Sequence, residues 1–232
     1  MQRCLVTGAN RGLGLEFTRQ LLERGARVLA CCRDPAHADD LKALQQKRGE
    51  NLIVHALDVA DARAIGALPE VAANHLQRID LLVNNAGVLV SGERFGNVQA
   101  ESLMQSFAVN AAAPLLITQA LAPLLLQGNK ARVLCVSTQL ASIAQASSFR
   151  TLSYAMSKAA LNMAVKRLAA ELDARGIVVM AFHPGWVKTA MGGKSATLAP
   201  ETSARAMLEL VEHAKPEDGG RFLAYDGAEL PW

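Results

Sequence analysis

Aromatic side chains are scarce in this 232-residue sequence: they make up 4% of it, although 51% of the residues are hydrophobic. A core must therefore consist mainly of alanine, leucine and valine, which is typical of helices packed closely on a Val- and Leu-rich sheet. No uninterrupted apolar stretch reaches the length of a membrane span, and the first apolar run begins almost at Met1, which leaves no room for a signal peptide. A cytoplasmic protein without a membrane partner is expected.

Cysteine is also rare, and neither sign of charge dominates. Cys4, Cys31, Cys32 and Cys135 all fall in apolar runs, and no CxxC pair or Cys/His cluster occurs, so we expect buried thiols and no metal site. The adjacent Cys31 and Cys32 should point to opposite faces of one strand. The net charge of +3 comes from Lys and Arg scattered among acidic residues. Without a basic stripe and interleaved aromatics, nucleic acid is not an expected partner.

Apolar runs of strand type alternate with helical segments along the whole chain. The predicted strands are Arg3–Thr7, Ala26–Cys32, Asn51–Leu57, Ile79–Val83, Arg132–Ser137, Gly176–Phe182 and Arg221–Tyr225. The predicted helices are Gly12–Arg24, Ala38–Arg48, Asp61–Leu76, Ala100–Leu126, Leu152–Ala174 and Pro200–His213. This alternation indicates right-handed crossovers and a parallel sheet. No linker or fixed-period repeat divides the chain, so residues 1–232 are predicted to form one α/β domain.

A glycine-rich turn follows the first predicted strand and opens the first helix, with the sequence Thr7-Gly8-Ala9-Asn10-Arg11-Gly12-Leu13-Gly14. Gly8 permits a tight turn, Gly12 removes a side chain where a pyrophosphate would approach, and Gly14 lets the helix lie close to the strand. The helix N-terminus then offers N–H groups and a partial positive charge to an anion. The spacing is TGxxxGxG rather than GxGxxG, and the alternative is a tight turn that binds no ligand.

The end of the second predicted strand bears on which dinucleotide would fit. NAD-preferring sites often place an acidic residue there, on the ribose hydroxyls. This sequence has Cys32 at that position, followed by Arg33, whose planar guanidinium can bind a 2′-phosphate; Arg11 is placed to add a second cation. NADP(H) is therefore favoured over NAD(H). The alternative is that both arginines are ordinary surface charges and that Asp34 faces the ribose, in which case NAD(H) would fit.

Two other segments leave alternatives open. The Asp58-Val59 pair ends the third predicted strand, and Asp58 is placed either to accept a hydrogen bond from an adenine amino group or to cap the next helix. The least regular stretch of the chain is Val187–Ala199, which contains Gly192, Gly193, Lys194 and Ser195. It is predicted to be either a mobile loop near a ligand or an ordinary surface connection.

Four motifs in order resemble the short-chain dehydrogenase/reductase family. They are TGxxxGxG, Asn84-Asn85-Ala86-Gly87, Tyr154-Ala155-Met156-Ser157-Lys158 and His183-Pro184-Gly185-Trp186-Val187-Lys188-Thr189. The resemblance covers essentially the whole chain. The segment from Gly220 to Trp232 resembles the carbonyl-reductase-like branch, which includes the bacterial C-factor and sniffer proteins. The resemblance implies a doubly wound Rossmann-type sheet of seven parallel strands in the order 3-2-1-4-5-6-7, with helices on both faces.

Tyr154 and Lys158 are four residues apart, so both project from one face of a helix. A phenol titrates at about pH 10, and a nearby ammonium favours the phenolate, which makes proton exchange easier around neutral pH. With the resemblance, Tyr154 is expected to protonate the alkoxide formed when hydride reaches a carbonyl, or to take the alcohol proton in the reverse direction. Lys158 is expected also to bind the nicotinamide ribose. Without that context, the pair would more often be a buried ring and a solvated ammonium.

The resemblance also implies a catalytic asparagine and a catalytic hydroxyl. Asn110 is the implied asparagine, expected to kink its helix and to anchor a water that leads to Lys158. The hydroxyl follows the fifth strand, where direct position selects Thr138 and separation from Tyr154 selects Ser142, with Ser142 marginally preferred. Either hydroxyl could hydrogen-bond the substrate oxygen as charge develops on it.

The remaining family motifs imply further cofactor contacts. The Asn84–Gly87 segment is expected to line the adenosine ribose, and the residues after the sixth strand are expected to contact the nicotinamide amide, although a Pro-Gly pair marks turns in any protein. His183 has no ligand-type neighbours in the sequence and is expected to be structural. The expected cofactor contacts are Gly8, Asn10, Arg11, Gly12, Leu13, Gly14, Arg33, Asp58, Val59, Asn84, Asn85, Ala86, Gly87, Tyr154, Lys158, Pro184, Gly185, Val187 and Thr189.

Three functions are compatible with these motifs. The leading hypothesis is an NADPH-dependent carbonyl reductase whose small-molecule substrate lies between Tyr154, the Ser137–Phe149 loop and the Val187–Ala199 loop. The second is a non-catalytic NADP(H)-binding regulatory or signalling protein of the C-factor type, and the third is a dehydrogenase that uses NAD⁺. The Ala- and Leu-rich helices Ala100–Leu126 and Leu152–Ala174 could pair in a homodimer or homotetramer, or bury all their apolar residues on the sheet.

Overall fold

Seven parallel strands form the centre of the computed structural model, which describes residues 1–232. The strands are β1 (Arg3–Thr7), β2 (Arg27–Cys32), β3 (Leu52–Ala56), β4 (Leu81–Asn84), β5 (Arg132–Val136), β6 (Val178–His183) and β7 (Phe222–Ala224). They lie side by side in the order β3-β2-β1-β4-β5-β6-β7, which confirms the expected order. The order reverses between β1 and β4, and ligands of open α/β sheets bind at the carboxyl ends of the strands at such a point.

Seven helices cover the two faces of this sheet. They are α1 (Gly12–Glu23), α2 (Asp39–Arg48), α3 (Ala62–Leu76), α4 (Ala100–Phe107), α5 (Ala113–Leu126), α6 (Leu152–Leu172) and α7 (Pro200–Glu212). Each predicted helix and strand is present, with ends within one or two residues of the prediction. The start of β4 differs because the main-chain N–H of Ile79 bonds to the carbonyl of Leu124 on α5 and not to a neighbouring strand.

Two apolar cores form because alternate side chains of a strand point to opposite faces of the sheet. One core packs the sheet against α3, α5 and α6, and the other packs it against α1, α2 and α7. Cys31 lies in the first core and Cys32 in the second, as expected for adjacent strand residues. All four cysteines are buried and unpaired, so the sequence-based prediction of buried thiols is confirmed.

The predicted helix Ala100–Leu126 is continuous but changes its geometry in the middle. Residues Ala108–Ala112 form a π-helical turn between α4 and α5, and such single turns are frequent at functional sites. By length and composition the whole helix could cross a membrane, contrary to the expectation that no apolar stretch would be long enough. Half of its most apolar 18-residue window is buried inside the protein, as expected for a helix that packs on the core.

Gly14 sets how closely α1 approaches β1, which suggests a test of the fold. A Cβ atom at Gly14 would lie 2.1 Å from the carbonyl oxygen of Gly8, a main-chain atom that cannot move alone. We therefore expect Gly14→Ala to lower the free energy of unfolding by about 1–3 kcal/mol. Gly66→Ala is the matched control, because Gly66 is exposed in α3 with no atom near the added Cβ. The control should raise stability by up to about 1 kcal/mol in urea unfolding, and equal effects at the two sites would contradict the packing argument.

Candidate active site

The glycine-rich turn presents an uncapped helix end at the carboxyl edge of the sheet. Gly8 and Gly12 have φ angles of 65° and 55°, a region that side chains other than glycine rarely adopt. The N-cap position of α1 is Arg11, which makes no side-chain cap, and the first turn of α1 has no acidic residue. The N–H groups of this turn are therefore left for an anion such as a phosphate, which fits the residues expected to hold a dinucleotide.

The Val187–Ala199 loop lies against this turn. A Cβ atom at Gly12 would be 3.3 Å from the Thr189 methyl group, so the two segments face each other at van der Waals distance. The base of the loop is closed by the N–H of Lys188, which donates to the carbonyl of Leu198 at 2.9 Å. The loop thus packs against the glycine-rich turn, which is the position expected for a loop near a bound ligand.

Asn85 joins the end of β4 to the same turn. Its side-chain amide donates to the carbonyls of Thr7 (2.9 Å) and Gly8 (3.2 Å). The hydroxyl of Thr7 in turn accepts the N–H groups of Asn85 (3.0 Å) and Ala86 (3.1 Å). Thr7 was not assigned a role of its own from the sequence, although its position directly before the glycines is a signal for these hydrogen bonds between neighbouring strand ends. Asn84 is buried and donates to Thr118 at 3.1 Å, so it steadies the central strands.

The end of β2 favours the two arginines over the neighbouring carboxylate as ligands of a nucleotide. Cys32 is buried, whereas Arg33 and Arg11 are exposed, and neither arginine forms a salt bridge. The Asp34 carboxylate is already engaged: it accepts the N–H of Ala36 at 3.0 Å and contacts His37 at 2.6 Å. The alternative in which Asp34 faces a ribose would require these contacts to be given up.

Asp58 is exposed at the end of β3 and does not cap a helix. Its carboxylate accepts the N–H of Ala60 at 2.9 Å, and the cap of α3 is Asp61, which accepts the N–H of Arg63 at 2.8 Å. The alternative of Asp58 as the helix cap is therefore wrong by three residues, because the chain makes an additional turn before α3 begins. The contact of Asp58 with an adenine stays a prediction.

Tyr154 and Lys158 lie in the first two turns of α6, both almost fully buried, with 8% and 3% of their surface exposed. The Lys158 ammonium donates to the main-chain carbonyl of Val136, at the end of β5, at 2.6 Å. Gly87 also lies close to the ammonium. A Cβ atom at Gly87 would be 3.8 Å from the Lys158 Nζ and 3.2 Å from the Asn110 Oδ1, so a side chain there would press on both groups. The alternative of a solvated surface ammonium is therefore wrong.

Asn110 lies in the π turn, where its amide holds two other segments of the site. Its Oδ1 accepts the N–H of Val88 at 2.9 Å, and its Nδ2 donates to the carbonyl of Val88 and to the hydroxyl of Ser157, both at 2.9 Å. The π turn contains Asn110, so the regular α-helical geometry is interrupted at the position where a kink was expected. Val88 and Ser157 were not singled out from the sequence, because no local pattern marks a partner that lies 22 or 47 positions away.

The two candidate hydroxyls have different neighbours. Thr138 lies close enough to Tyr154 to lower the pKa of its phenol, and its hydroxyl accepts the N–H of Leu140 at 3.3 Å. Ser142 instead donates to the main-chain oxygen of Trp232 at 3.4 Å and accepts the N–H of Gln145 at 3.2 Å. The marginal preference for Ser142 therefore does not agree with the geometry. That preference rested on the separation in sequence from Tyr154, whereas Thr138 follows the end of β5 by two residues.

Burial dominates the electrostatics of this site. It raises the pKa of Tyr154 to about 12, although the hydrogen bond with Thr138 acts in the opposite direction. It lowers the pKa of Lys158 to about 8, with only a small opposing effect from the Cys135 thiol. In the chain alone, burial of the phenol outweighs the stabilisation of a phenolate that was expected from the Lys158 ammonium, which donates to the Val136 carbonyl. The phenol is thus protonated at neutral pH.

The low pKa of Lys158 predicts a pH dependence of stability that Lys158→Met should remove. An ordinary lysine has a pKa of 10.5, so the folded chain binds this proton more weakly than the unfolded chain does. The contribution of Lys158 to the free energy of unfolding is therefore largest above pH 10.5, where both states carry the neutral amine. It decreases as the pH falls towards about 8, because the unfolded chain binds the proton first. Between pH 8 and 10, without nucleotide, the wild type should gain about 2 kcal/mol relative to the variant in urea unfolding. Parallel curves would show that the ammonium is solvated.

The sequence and the fold are similar to those of known proteins. The model of the short chain dehydrogenase family matches residues 2–198. The C-signal protein of Myxococcus xanthus is 42% identical over 154 residues, which are 66% of this chain and 93% of that protein. The NADPH-bound carbonyl reductase from chicken fatty liver superposes with a TM-score of 0.94 at 33% identity, covering 100% of this chain and 99% of the other. The carbonyl reductase Sniffer of D. melanogaster superposes with a TM-score of 0.94 at 30% identity, covering 100% of both chains. The chain belongs to the short-chain dehydrogenase family, and it is an oxidoreductase of the carbonyl reductase type.

Proposed function

We propose that this protein reduces a carbonyl compound to an alcohol with NADPH, or runs the reverse reaction, and that Tyr154 is its acid/base. The observation that carries the proposal is the buried phenol of Tyr154, which lies near Thr138 and one helical turn from the buried Lys158 ammonium. A protonated phenol in a site that excludes water is the form that a reductase needs, because the alkoxide formed from a carbonyl must receive a proton.

Each side chain has a distinct role in this scheme. The bound nicotinamide supplies the hydride to the carbonyl carbon. Thr138 donates a hydrogen bond to the carbonyl oxygen as negative charge develops there, and Tyr154 transfers its phenolic proton to the same oxygen. The Lys158 ammonium, one helical turn away, would stabilise the phenolate that remains. Asn110 keeps the segments around Lys158 in place through Val88 and Ser157. In the reverse direction Tyr154 takes the alcohol proton.

The preference for NADP(H) over NAD(H) follows from the end of β2 and from the relatives. The free guanidinium groups of Arg33 and Arg11 suit the 2′-phosphate, and Cys32 offers no negative charge against it. The similar chicken carbonyl reductase binds NADPH. In the same scheme the uncapped turn holds the pyrophosphate, the Asn84–Gly87 segment and Asp58 with Val59 contact the adenosine, and Pro184, Gly185, Val187 and Thr189 contact the nicotinamide.

Resemblance to C-signal keeps a second function in view, that of a nucleotide-binding regulator without turnover. The assembled acid/base site disfavours it, since holding a nucleotide alone gives no reason to bury a phenol against a threonine hydroxyl. A small-molecule substrate between Tyr154 and the Ser137–Phe149 and Val187–Ala199 loops is the partner proposed here. A homodimer or homotetramer stays a proposal as well; the exposed Met104 on α4 and Met163 on α6 show that these helices do not bury all their apolar residues on the sheet.

Tyr154→Phe tests the proposed reaction. Removing the phenolic oxygen should lower kcat for a panel of ketones, aldehydes and quinones by about 100-fold or more, because the alkoxide loses its proton donor. The Kd for NADPH, measured by fluorescence titration, should change little. Full turnover in the variant would overturn the acid/base role, and no turnover by the wild type on any carbonyl would favour the regulator.

Two hydroxyl variants form a matched control for this experiment. Thr138→Ala should lower kcat by about 100-fold, as loss of a hydrogen-bond donor to a developing oxyanion does. Ser142→Ala removes a hydroxyl from the same loop and should leave kcat within about threefold of wild type, as expected for a residue outside the reacting site. The reverse ranking would reinstate Ser142 as the catalytic hydroxyl.

Arg33→Ala tests the choice of dinucleotide. Loss of a charge-assisted hydrogen bond to the 2′-phosphate should raise the Kd of NADPH by about tenfold and leave that of NADH unchanged. Arg24→Ala is the control, because it removes a cation from the distant C-terminal end of α1. If both dinucleotides weaken equally, Arg33 binds a part that they share.

A further inference from the structure

A buried carboxylate supports the helix that carries Tyr154. Glu93 lies in the segment between β4 and α4 and exposes only 4% of its surface. Its carboxylate accepts the main-chain N–H of Ser153 at 2.9 Å and also the hydroxyl of Ser153. Ser153 is fully buried and directly precedes Tyr154. A chain segment 60 residues away is therefore bonded to the first turn of α6 next to the proposed acid/base.

α6 has no cap of its own at this end. Its N-cap residue, Thr151, is in the left-handed region with a φ of 51°, and its hydroxyl donates to the carbonyl of Arg150 instead of accepting an N–H of the helix. The first turn contains no acidic residue. Glu93 thus supplies the negative charge and the acceptor that a local Ser, Asp or Asn would normally provide.

The carboxylate has no cation as a partner, since none of the salt bridges of the chain includes Glu93. Burial of an isolated carboxylate is unfavourable unless hydrogen bonds and dipoles compensate for the lost water. Here the two hydrogen bonds come from the N–H and the hydroxyl of Ser153, and the dipole is that of the N-terminus of α6. The favourable position of the Glu93 carboxylate is therefore tied to one position of that first turn.

The same segment is also held at its other end. Asn110 binds both the N–H and the carbonyl of Val88, five residues before Glu93, and donates to Ser157 on α6. The Val88–Glu93 segment therefore connects the π turn with the first turn of α6. This connection holds the first two turns of α6, which carry Tyr154, Ser157 and Lys158, against the segment that follows β4.

We propose that Glu93 is a positioning residue for Tyr154, one that holds the first turn of α6 so that the phenol reaches the substrate oxygen. The inference rests on the proposed function, because it acts through the acid/base role of Tyr154. A phenol displaced by a fraction of an ångström still excludes water and leaves the nucleotide site unchanged, but it transfers its proton less readily.

Glu93→Gln in the full chain is the test. The substituted amide keeps the size of the side chain but turns a donor towards the Ser153 N–H or hydroxyl and removes the charge. We expect kcat for a carbonyl substrate to fall at least tenfold, the solvent deuterium isotope effect on kcat to rise, and the Kd of NADPH to stay within twofold. An unchanged kcat and isotope effect in a folded variant would overturn the proposal.

Two further variants separate positioning from stability. Asp80→Asn removes another buried carboxylate that binds main-chain N–H groups, those of Arg3 and Asn129, at the opposite end of β4; it should lower the unfolding midpoint without changing kcat or the isotope effect. Glu93→Asp keeps the charge and should restore part of the rate; it also serves as the test if the Gln variant does not fold. If Glu93→Asp is as slow as the Gln variant while the isotope effect is that of wild type, Glu93 has only a structural role.

The outcomes also distinguish this inference from the proposed function. If Tyr154→Phe leaves turnover intact, the acid/base proposal fails, whatever the result for Glu93. If Tyr154→Phe abolishes turnover while Glu93→Gln is fully active, only the positioning role is overturned.

Discussion

The distance between β1 and α1 is set by main-chain atoms, and the rest of the site is built on that distance. Gly14 lies against the carbonyl of Gly8 with no room for a methyl group, and Gly8 in turn lies against the main chain of Ala86 after β4. Because these contacts join backbone to backbone, they cannot be adjusted by a change of rotamer. They place the free N–H groups of α1 beside the ends of β1 and β4, and every other proposed nucleotide contact is arranged around that position.

Desolvation has opposite effects on the two ionisable groups of the site. The phenol of Tyr154 is held in its protonated form, while the ammonium of Lys158 is brought to a pKa of about 8, where its charge is only moderately favoured. The chain alone thus keeps a proton donor next to a cation that is bound to a main-chain carbonyl. A ligand that competed for this ammonium would change both protonation equilibria together.

Much of this structure could be predicted because its signals are local. The alternation of strands and helices, the φ-positive glycines and the opposite faces of Cys31 and Cys32 all follow from neighbouring residues. Contacts between distant segments could not be predicted in that way. The choice between Thr138 and Ser142 depended on which of the two hydroxyls lies near Tyr154 in the folded chain. The support of α6 by Glu93 is invisible to capping rules, which consider only residues adjacent to a helix. The burial that raises the pKa of Tyr154 likewise depends on the surrounding fold, since spacing on a helix says nothing about what covers the phenol.

The loop after β5 is bound by residues from the far end of the sequence. The main-chain oxygen of Trp232 accepts hydrogen bonds from the N–H of Ala144, at 3.0 Å, and from the hydroxyl of Ser142. The indole ring of Trp232 stacks on the ring of Phe222 in β7. Any peptide attached after Trp232 would therefore emerge next to the loop that lines the proposed substrate pocket. Met1, by contrast, is exposed at the amino end of β1, on the opposite edge of the sheet. An affinity tag or fusion partner attached at Met1 would therefore lie away from the loop after β5.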